Sequence, residues 1–336
     1  MHSIYPWQQQ EWKQLLRRKN SGQLPHAILI KGAEGVGKCN FVLCLAEVLL
    51  CKNSSTKACG ECSTCQLLES NNHPDLIIIR PEEENKAIKI DQIRELVAEL
   101  NNTSQQGGYK IIIIEHAELL NIAASNSLLK TIEEPAASVI IVLISHRPIA
   151  LAATIRSRCQ TISIKTPSLV VAQEWLKQQA PDTDFKLALA LAENAPLKAL
   201  NILQEENFQR RLTFFQNLCA LQDNKISTVQ MAEQCLDWDF RSLLLAFMHV
   251  ISDLIKIKLN AIQNLINQDQ VKELIRLAAK TDSNKLFAYQ KQLLKSHQYL
   301  VKNINFNQQL TAESLSITWA QLFERVKVQT HMRLIK

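Results

Sequence analysis

Short apolar runs alternate with amphipathic stretches over the first half of the chain. The apolar runs predict five strands, at 26–30, 75–79, 109–114, 138–144 and 160–164. The third run contains four consecutive isoleucines, Ile111 to Ile114, and such β-branched runs are typical of strands buried on both faces of a parallel sheet. Helical patterns at 38–50 and 91–101 separate the first three strands. The sequence therefore predicts a doubly wound α/β domain.

The pattern becomes helical throughout after residue 166. Short helices are predicted at 169–179, 185–192 and 197–205. Longer amphipathic helices are expected from residue 208 onward, in a segment that contains no glycine and no proline. In the helix expected at 241–257, for example, apolar residues recur three or four positions apart. We therefore predict three domains, at 1–166, 167–207 and 208–336.

Composition narrows the class of protein without identifying it. The 336 residues are 46% hydrophobic and 21% charged, which is ordinary for a globular protein of two or three domains. The net charge of +6 is too modest to establish nucleic-acid binding. The N-terminus lacks the pattern of a signal peptide, and the longest apolar stretch, at 242–251, is too short to cross a bilayer. We expect a cytoplasmic protein with no membrane segment.

A glycine loop follows the first predicted strand and opens the first long helix. Residues 32–39 read GAEGVGKC and match the phosphate-loop pattern G-x-x-x-x-G-K-[ST] at every fixed position but the last. Backbone N–H groups of such a loop cradle phosphates at a helix N-terminus. The predicted nucleotide-binding residues are Gly32, Gly35, Gly37, Lys38 and Cys39. Binding of ATP or ADP stays open, because the thiol that replaces the usual hydroxyl is a poor ligand for magnesium.

The third strand shows a second departure from an active nucleotide hydrolase. Such strands usually end in two acids, one that supports magnesium and one that activates the attacking water. Here the strand is followed by Glu115 and His116. Glu115 can serve a metal, whereas a histidine cannot reproduce the geometry and charge of the second carboxylate. We interpret His116 as a polar residue at a strand end.

Four cysteines are crowded between the first helix and the second strand. Cys51, Cys59, Cys62 and Cys65 lie within fifteen residues, and four thiolates at this spacing suit one tetrahedral zinc ion. An iron–sulfur site is less favoured, and a catalytic zinc is disfavoured because no ligand position remains open. A disulfide cluster does not fit a reducing compartment. We expect a structural zinc module at 51–65, with the other five cysteines reduced: Cys39, Cys44, Cys159, Cys219 and Cys235.

Two further segments complete a recognisable set of motifs. Residues 128–135 read LLKTIEEP and residues 154–159 read TIRSRC. With the phosphate loop and the cysteines, they resemble the bacterial clamp-loader ATPases of the AAA+ class. The motifs lie within 26–166, and the chain length and three-part layout agree over the rest. The resemblance implies an AAA+/RecA-like P-loop domain with a zinc module, a small helical lid domain and an all-α collar domain.

The resemblance also implies a function and partners. The family loads a ring-shaped sliding clamp onto primer–template DNA, through a gapped ring of five subunits held together by the collar domains. Gamma/tau motor subunits and a delta subunit would be neighbours in that ring. The family's Ser-Arg-Cys motif gives an arginine to ATP on the adjacent subunit, and the matching residue here is Arg158. The alternative for Arg158 is a local salt bridge, and Arg156 suits an interface or a surface charge.

The catalytic positions separate the possible family members. Active members carry a sensing arginine in the lid, where this chain has Leu197. Lys198 is one position away, about 100° around a helix, and Ser145 stands at the place of a first polar sensor. Lys38 is retained, but three positions depart: Cys39, His116 and Leu197. The departures favour a non-motor subunit that supplies Arg158; the alternatives are an active gamma/tau-type motor and a zinc-dependent nucleic-acid-binding protein.

Overall fold

The chain forms two compact units. The computed structural model describes residues 1–53, 56–83, 86–100, 104, 106, 108–136, 138–179, 185–235, 238–301 and 307–323. The first unit comprises Met1–Phe185 and Ala192–Leu200, and the second comprises Lys186–Leu191 and Asn201–Lys336. The three domains drawn from the sequence stay a prediction. No helix in the described part of the chain is long and apolar enough to span a membrane.

Five strands and the helices between them build the first unit. The strands are β1 Ala27–Lys31, β2 Leu76–Ile79, β3 Lys110–Ile114, β4 Val139–Ser145 and β5 Gln160–Ser163. The helices of the chain up to residue 202 are α1 Gln9–Asn20, α2 Lys38–Leu50, α3 Ser63–Glu69, α4 Ile90–Leu100, α5 Ile122–Glu133, α6 Ala153–Arg156, α7 Leu169–Gln179, α8 Phe185–Leu191 and α9 Pro196–Ile202. Of these, α8 belongs to the second unit after its first residue, and the last two residues of α9 belong to the second unit as well. All five predicted strands are confirmed, with ends that differ by no more than one residue.

The strands form one parallel sheet in the order β2-β3-β4-β1-β5. Each neighbouring pair is parallel, and Ile79 of β2 lies opposite Ile114 of β3, which lies opposite Leu143 of β4. This confirms the predicted α/β domain. Since all strands run the same way, the segments that follow β1, β2, β3 and β4 meet at one edge of the sheet, where α/β proteins usually place their ligand sites.

Both faces of β3 are buried, as the isoleucine run predicts. Ile111 and Ile113 pack on one face in a cluster that includes residues of α1 and α2. Ile112 and Ile114 pack on the opposite face with residues of α4 and α5. A strand with aliphatic side chains on both sides needs an apolar layer on each face, and the two clusters provide these layers for β3.

The described part of the second unit that follows α9 is helical. Its helices are α10 Glu205–Gln222, α11 Thr228–Gln234, α12 Phe240–Lys258, α13 Val271–Ala279, α14 Ser283–Val301 and α15 Gln308–Gln321. Phe247, Tyr289 and Trp319 are fully buried in one apolar core. The two polar tips in this core have partners: the Tyr289 hydroxyl donates to the carbonyl of Leu315 at 2.8 Å, and the Trp319 indole donates to that of Leu218 at 3.0 Å.

A buried carboxylate ties a loop to this helical core. Asp253 of α12 is completely buried. Its oxygens accept hydrogen bonds from the backbone N–H groups of Ile266 and Asn267 and from the Asn267 side-chain amide, each at 2.8 Å, and Lys256 Nζ lies 3.4 Å away. Because these donors satisfy its buried charge, the Asp253 carboxylate holds the segment between α12 and α13 against the core.

Replacing this carboxylate tests its contribution. Asp253→Ala leaves three donors without their acceptor, two of them buried, and we expect it to lower the free energy of unfolding by about 3 kcal/mol. Amide hydrogen exchange at Ile266 and Asn267 accelerates at the same time. Glu233→Ala, at an exposed position of α11, is the control and changes stability by less than about 0.5 kcal/mol. Equal stability of the two variants would contradict the role given to Asp253.

Candidate functional site

The phosphate loop lies between β1 and α2, at the carboxyl edge of the sheet. Gly35 and Gly37 adopt the left-handed φ values of 79° and 80°. A Cβ at Gly35 would lie 2.5 Å from the Cβ of Lys198, and one at Gly37 would lie 2.5 Å from the Tyr5 ring. Both glycines are therefore required by close packing against other parts of the unit as well as by backbone conformation.

Lys38 has partners within the chain for all the donors of its ammonium group. Nζ donates to the carbonyls of Gly32 at 2.8 Å and Ala33 at 2.6 Å, and lies 2.6 Å from Nδ1 of His146. An ammonium has donors only, so Nδ1 is the acceptor. Burial lowers the pKa of Lys38 to about 8. The lysine that the sequence assigns to phosphate is thus bound to its own loop and to the end of β4.

The N-terminal segment covers the phosphate loop. Trp7 Nε1 donates to the Val36 carbonyl at 3.0 Å, and Gln8 Nε2 donates to the carbonyls of Val36 and Gly37 at 2.9 Å each. The rings of Tyr5 and Trp7 stack at 4.9 Å, and Trp175 of α7 packs edge-on against both. Sequence reasoning missed this contact; the aromatic pair around Pro6 was the available signal.

The first turn of α9 also contacts the loop. Leu197 donates its backbone N–H to the Gly35 carbonyl at 3.0 Å. The adjacent Lys198 packs on Gly35 through its backbone and Cβ. Ser145, at the end of β4, is buried, and its hydroxyl accepts a hydrogen bond from the Arg147 N–H at 3.1 Å. Leu197 therefore contacts the loop through its backbone, whereas the Ser145 hydroxyl binds the segment that follows β4.

The acid at the end of β3 is bound to an arginine that the sequence analysis did not single out. Arg80 donates from Nε to one oxygen of Glu115 and from Nη2 to the other, at 2.9 Å each. Cys39 lies in the same region, and burial, together with the charge of Glu115, raises the pKa of its thiol to about 11. A half-buried neutral thiol and a carboxylate already held by a guanidinium do not fit the oxygen-rich ligand set of a magnesium ion.

His116 takes part in local structure. It adopts a left-handed backbone conformation with φ of 51° and precedes the short 3-10 helix Ala117–Leu119. Its ring lies 4.9 Å from that of His146. This is consistent with our interpretation of His116 as a polar strand-end residue, which stays a prediction.

The four clustered cysteines converge on one point. The Sγ atoms of Cys51, Cys59, Cys62 and Cys65 all lie within 4.8 Å of one another, and those of Cys59 and Cys65 are 3.8 Å apart. Tetrahedral zinc with Zn–S bonds of about 2.3 Å requires sulfur atoms about 3.8 Å apart. The set can therefore hold a metal ion.

Hydrogen bonds to sulfur favour the thiolate form of Cys62 in this cluster, whereas burial raises the pKa of Cys65 to about 12. The N–H groups of Cys59 and Cys62 donate to the sulfurs of Cys51 and Cys59, at 3.4 Å each. The neighbouring Thr64 hydroxyl lowers the pKa of Cys62 to about 5. Donors that bind the sulfur atoms in this way orient metal-binding thiolates and stabilise their charge.

Arg158 lies between α6 and β5, with its side chain 41% exposed. Its Nε is paired with the carboxylate of Glu133, and Nη1 donates to the Thr154 carbonyl at 3.0 Å. Arg156 behaves differently, since its Nη1 donates to the Pro148 carbonyl at 3.1 Å and fastens the preceding loop. Of these two arginines, Arg158 is the more exposed and is held by a surface ion pair.

Comparison with known proteins covers both units. Residues 7–168 match the family described as "DNA polymerase III, delta subunit", and residues 205–321 match "DNA polymerase III, delta subunit, C terminal". The "DNA polymerase III subunit delta'" of Pseudomonas aeruginosa is 34% identical over 96% of this chain and 99% of that protein. The proteins of the same name from Yersinia pestis and Haemophilus influenzae are 31% and 34% identical, over 94% and 77% of this chain and 95% and 79% of theirs. The chain therefore belongs to the family of DNA polymerase III delta' subunits.

Proposed function

We propose that the chain is the non-motor subunit of a clamp loader and helps to place a sliding clamp on primed DNA during replication. Its neighbours in a five-membered ring would be gamma/tau motor subunits and a delta subunit, and it would supply Arg158 to ATP bound by one of them. The observation that carries the proposal is the similarity to delta' subunits over almost the whole of both chains.

The phosphate loop supports a role without ATP hydrolysis by this chain. Lys38 and Glu115 are the two charged residues that a nucleotide with its metal would use, and both have partners within the chain. The segment around Trp7 and the start of α9 also contact the loop. Binding a nucleotide would have to break these contacts, and the chain still lacks the second acid and the lid arginine that hydrolysis needs.

Arg158 is suited to act on a neighbouring subunit because its present pairing is weak. An ion pair between two half-exposed side chains contributes at most about 1 kcal/mol, so a stronger anion can displace Glu133 from Arg158. A guanidinium stays charged and offers a planar fork of donors to phosphate oxygens. Glu133 would hold the arginine extended until a partner's ATP replaces it.

Replacement of Arg158 is expected to abolish clamp loading without preventing assembly. An arginine finger raises the rate of phosphoryl transfer by about 10³-fold or more. Arg158→Ala is therefore expected to stop ATP hydrolysis at the site on the adjacent subunit. Arg158→Lys keeps the charge but loses the fork and is also impaired. The measurement is loading of the clamp onto primed circular DNA by the reconstituted complex, after gel filtration has shown that the complex is intact.

Two variants control this experiment. Glu133→Gln removes only the resting partner of Arg158 and retains loading. Arg94→Ala removes another exposed arginine, one that is paired with Asp91 on α4, and also retains loading. Normal loading by an intact Arg158→Ala complex would refute the role of Arg158 as a finger.

The isolated chain is expected to show negligible ATP hydrolysis. The pure protein is assayed with ATP and magnesium beside its Lys38→Ala variant, and the two should give the same background rate. Steady magnesium-dependent hydrolysis that Lys38→Ala abolishes would instead identify the chain as an active motor subunit.

The cysteine cluster is proposed to hold a structural zinc ion. Four converging thiols leave no open position for catalysis, and zinc is the usual ion for four thiolates in a tetrahedral set. Bound zinc would join the end of α2 to the start of α3, since Cys51 follows α2 and Cys65 lies in α3.

Metal analysis and one substitution test this site. We expect one zinc ion per chain by elemental mass spectrometry, and we expect Cys62→Ser to lose the metal and to lower the melting temperature. Cys219→Ser, at a position in α10 outside the cluster, keeps the zinc. Visible absorbance with bound iron in the anaerobically purified protein would favour an iron–sulfur cluster instead.

A further inference from the structure

The sheet itself brings Arg80 to Glu115. Ile79 and Ile114 are partners in the register of β2 and β3, and the N–H of Glu115 donates to the Ile79 carbonyl at 3.0 Å. Arg80 and Glu115 are the next residues along these parallel strands. The Arg80 carbonyl is also held, since Gln92 Nε2 donates to it at 2.9 Å. The backbone positions of both residues are thus set by strand pairing and by α4.

The contact between these side chains uses both oxygens of the carboxylate. Two parallel N–H···O bonds of 2.9 Å form the bidentate arrangement in which guanidinium binds carboxylate most strongly. The Glu115 side chain is 12% exposed, whereas that of Arg80 is 60% exposed. A carboxylate this deeply buried requires a counter-charge, and in this structure the guanidinium provides it.

In active phosphate-loop proteins, a divalent cation normally lies beside the acid at the end of this strand. The cation takes oxygen ligands from the loop hydroxyl, from the acid at the strand end and from the phosphates. Here Cys39 supplies no oxygen, and burial raises the pKa of its thiol to about 11, so at neutral pH it is not a thiolate either. Glu115 is the one acid left of the usual pair, since His116 stands at the second position. The positive charge of Arg80 beside Glu115 opposes the entry of a metal cation.

We propose that the Arg80 guanidinium takes the place of the divalent cation at the phosphate loop and excludes the metal from Glu115. Restoring a hydroxyl at position 39 is then insufficient to create a magnesium–nucleotide site. The inference goes beyond the function proposed above, because it concerns only the phosphate loop of this chain and holds whether or not the chain works in a clamp loader.

The test compares the affinity of the full chain for ADP with and without Mn²⁺, measured by titration calorimetry. Wild-type protein and Cys39→Ser are expected to show the same ADP affinity with and without the metal. Cys39→Ser/Arg80→Gln frees the Glu115 carboxylate, so Mn²⁺ should raise its ADP affinity at least tenfold. Adding Glu115→Gln to that variant should remove the gain.

Two results would overturn the proposal. One is a full Mn²⁺ effect in Cys39→Ser alone, which would show that Arg80 excludes nothing. The other is the absence of any Mn²⁺ effect in the folded Cys39→Ser/Arg80→Gln protein. Arg94→Gln in the Cys39→Ser background is the matched control, since it removes an exposed arginine of the same unit, and it should behave as Cys39→Ser does.

A second variant keeps the test decisive if the glutamine variant does not fold, as judged by circular dichroism. Cys39→Ser/Arg80→Lys retains a counter-charge for Glu115 but lacks the bidentate fork, so the ammonium yields the carboxylate to Mn²⁺ more readily. We expect a Mn²⁺ effect on ADP affinity above that of Cys39→Ser, and its loss when Glu115→Gln is added. Behaviour identical to Cys39→Ser would contradict the proposal.

Discussion

The cost of burying a charged group without a partner shapes the carboxyl edge of the sheet. Lys38 and Glu115 are both buried, and an isolated buried charge costs several kcal/mol. In a nucleotide hydrolase, bound phosphates and a metal ion offset part of the free energy needed to bury these two charges. Here His146 with two loop carbonyls satisfies the lysine, and Arg80 satisfies the acid. The same constraint acts in the second unit, where donors from the segment after α12 surround Asp253.

Local sequence patterns were sufficient to predict all five strands and the helix that follows the phosphate loop, whereas α1, α3, α5 and α6 were not predicted. Aliphatic runs marked the strands, and the glycine spacing with Lys38 marked the loop. The crowding of four cysteines within fifteen residues predicted a common metal site, and their four sulfurs lie within 4.8 Å of one another. These predictions succeed because strand burial, loop conformation and chelation by near neighbours depend on residues close in the chain.

The partners of the charged residues could not be predicted in the same way. Glu115 and Arg80 are 35 positions apart, and Lys38 and His146 are 108 apart. Their contacts depend on the order of the strands, which a single sequence does not specify. The ion pair of Arg158 with Glu133 was anticipated only as a local salt bridge without a named partner. The sequence thus identifies which residues carry charge at the site, while the order of the strands determines which of them lie close enough to pair.

The position of Trp7 has a practical consequence for spectroscopy. Its indole N–H is bound to the Val36 carbonyl of the phosphate loop, and its ring stacks on Tyr5 and meets Trp175. Indole emission responds to hydrogen bonding and to solvent at the ring. Any rearrangement that opens the phosphate loop breaks this contact and alters the environment of Trp7. The chain therefore carries a native fluorophore at the loop, which makes its opening observable without an attached label.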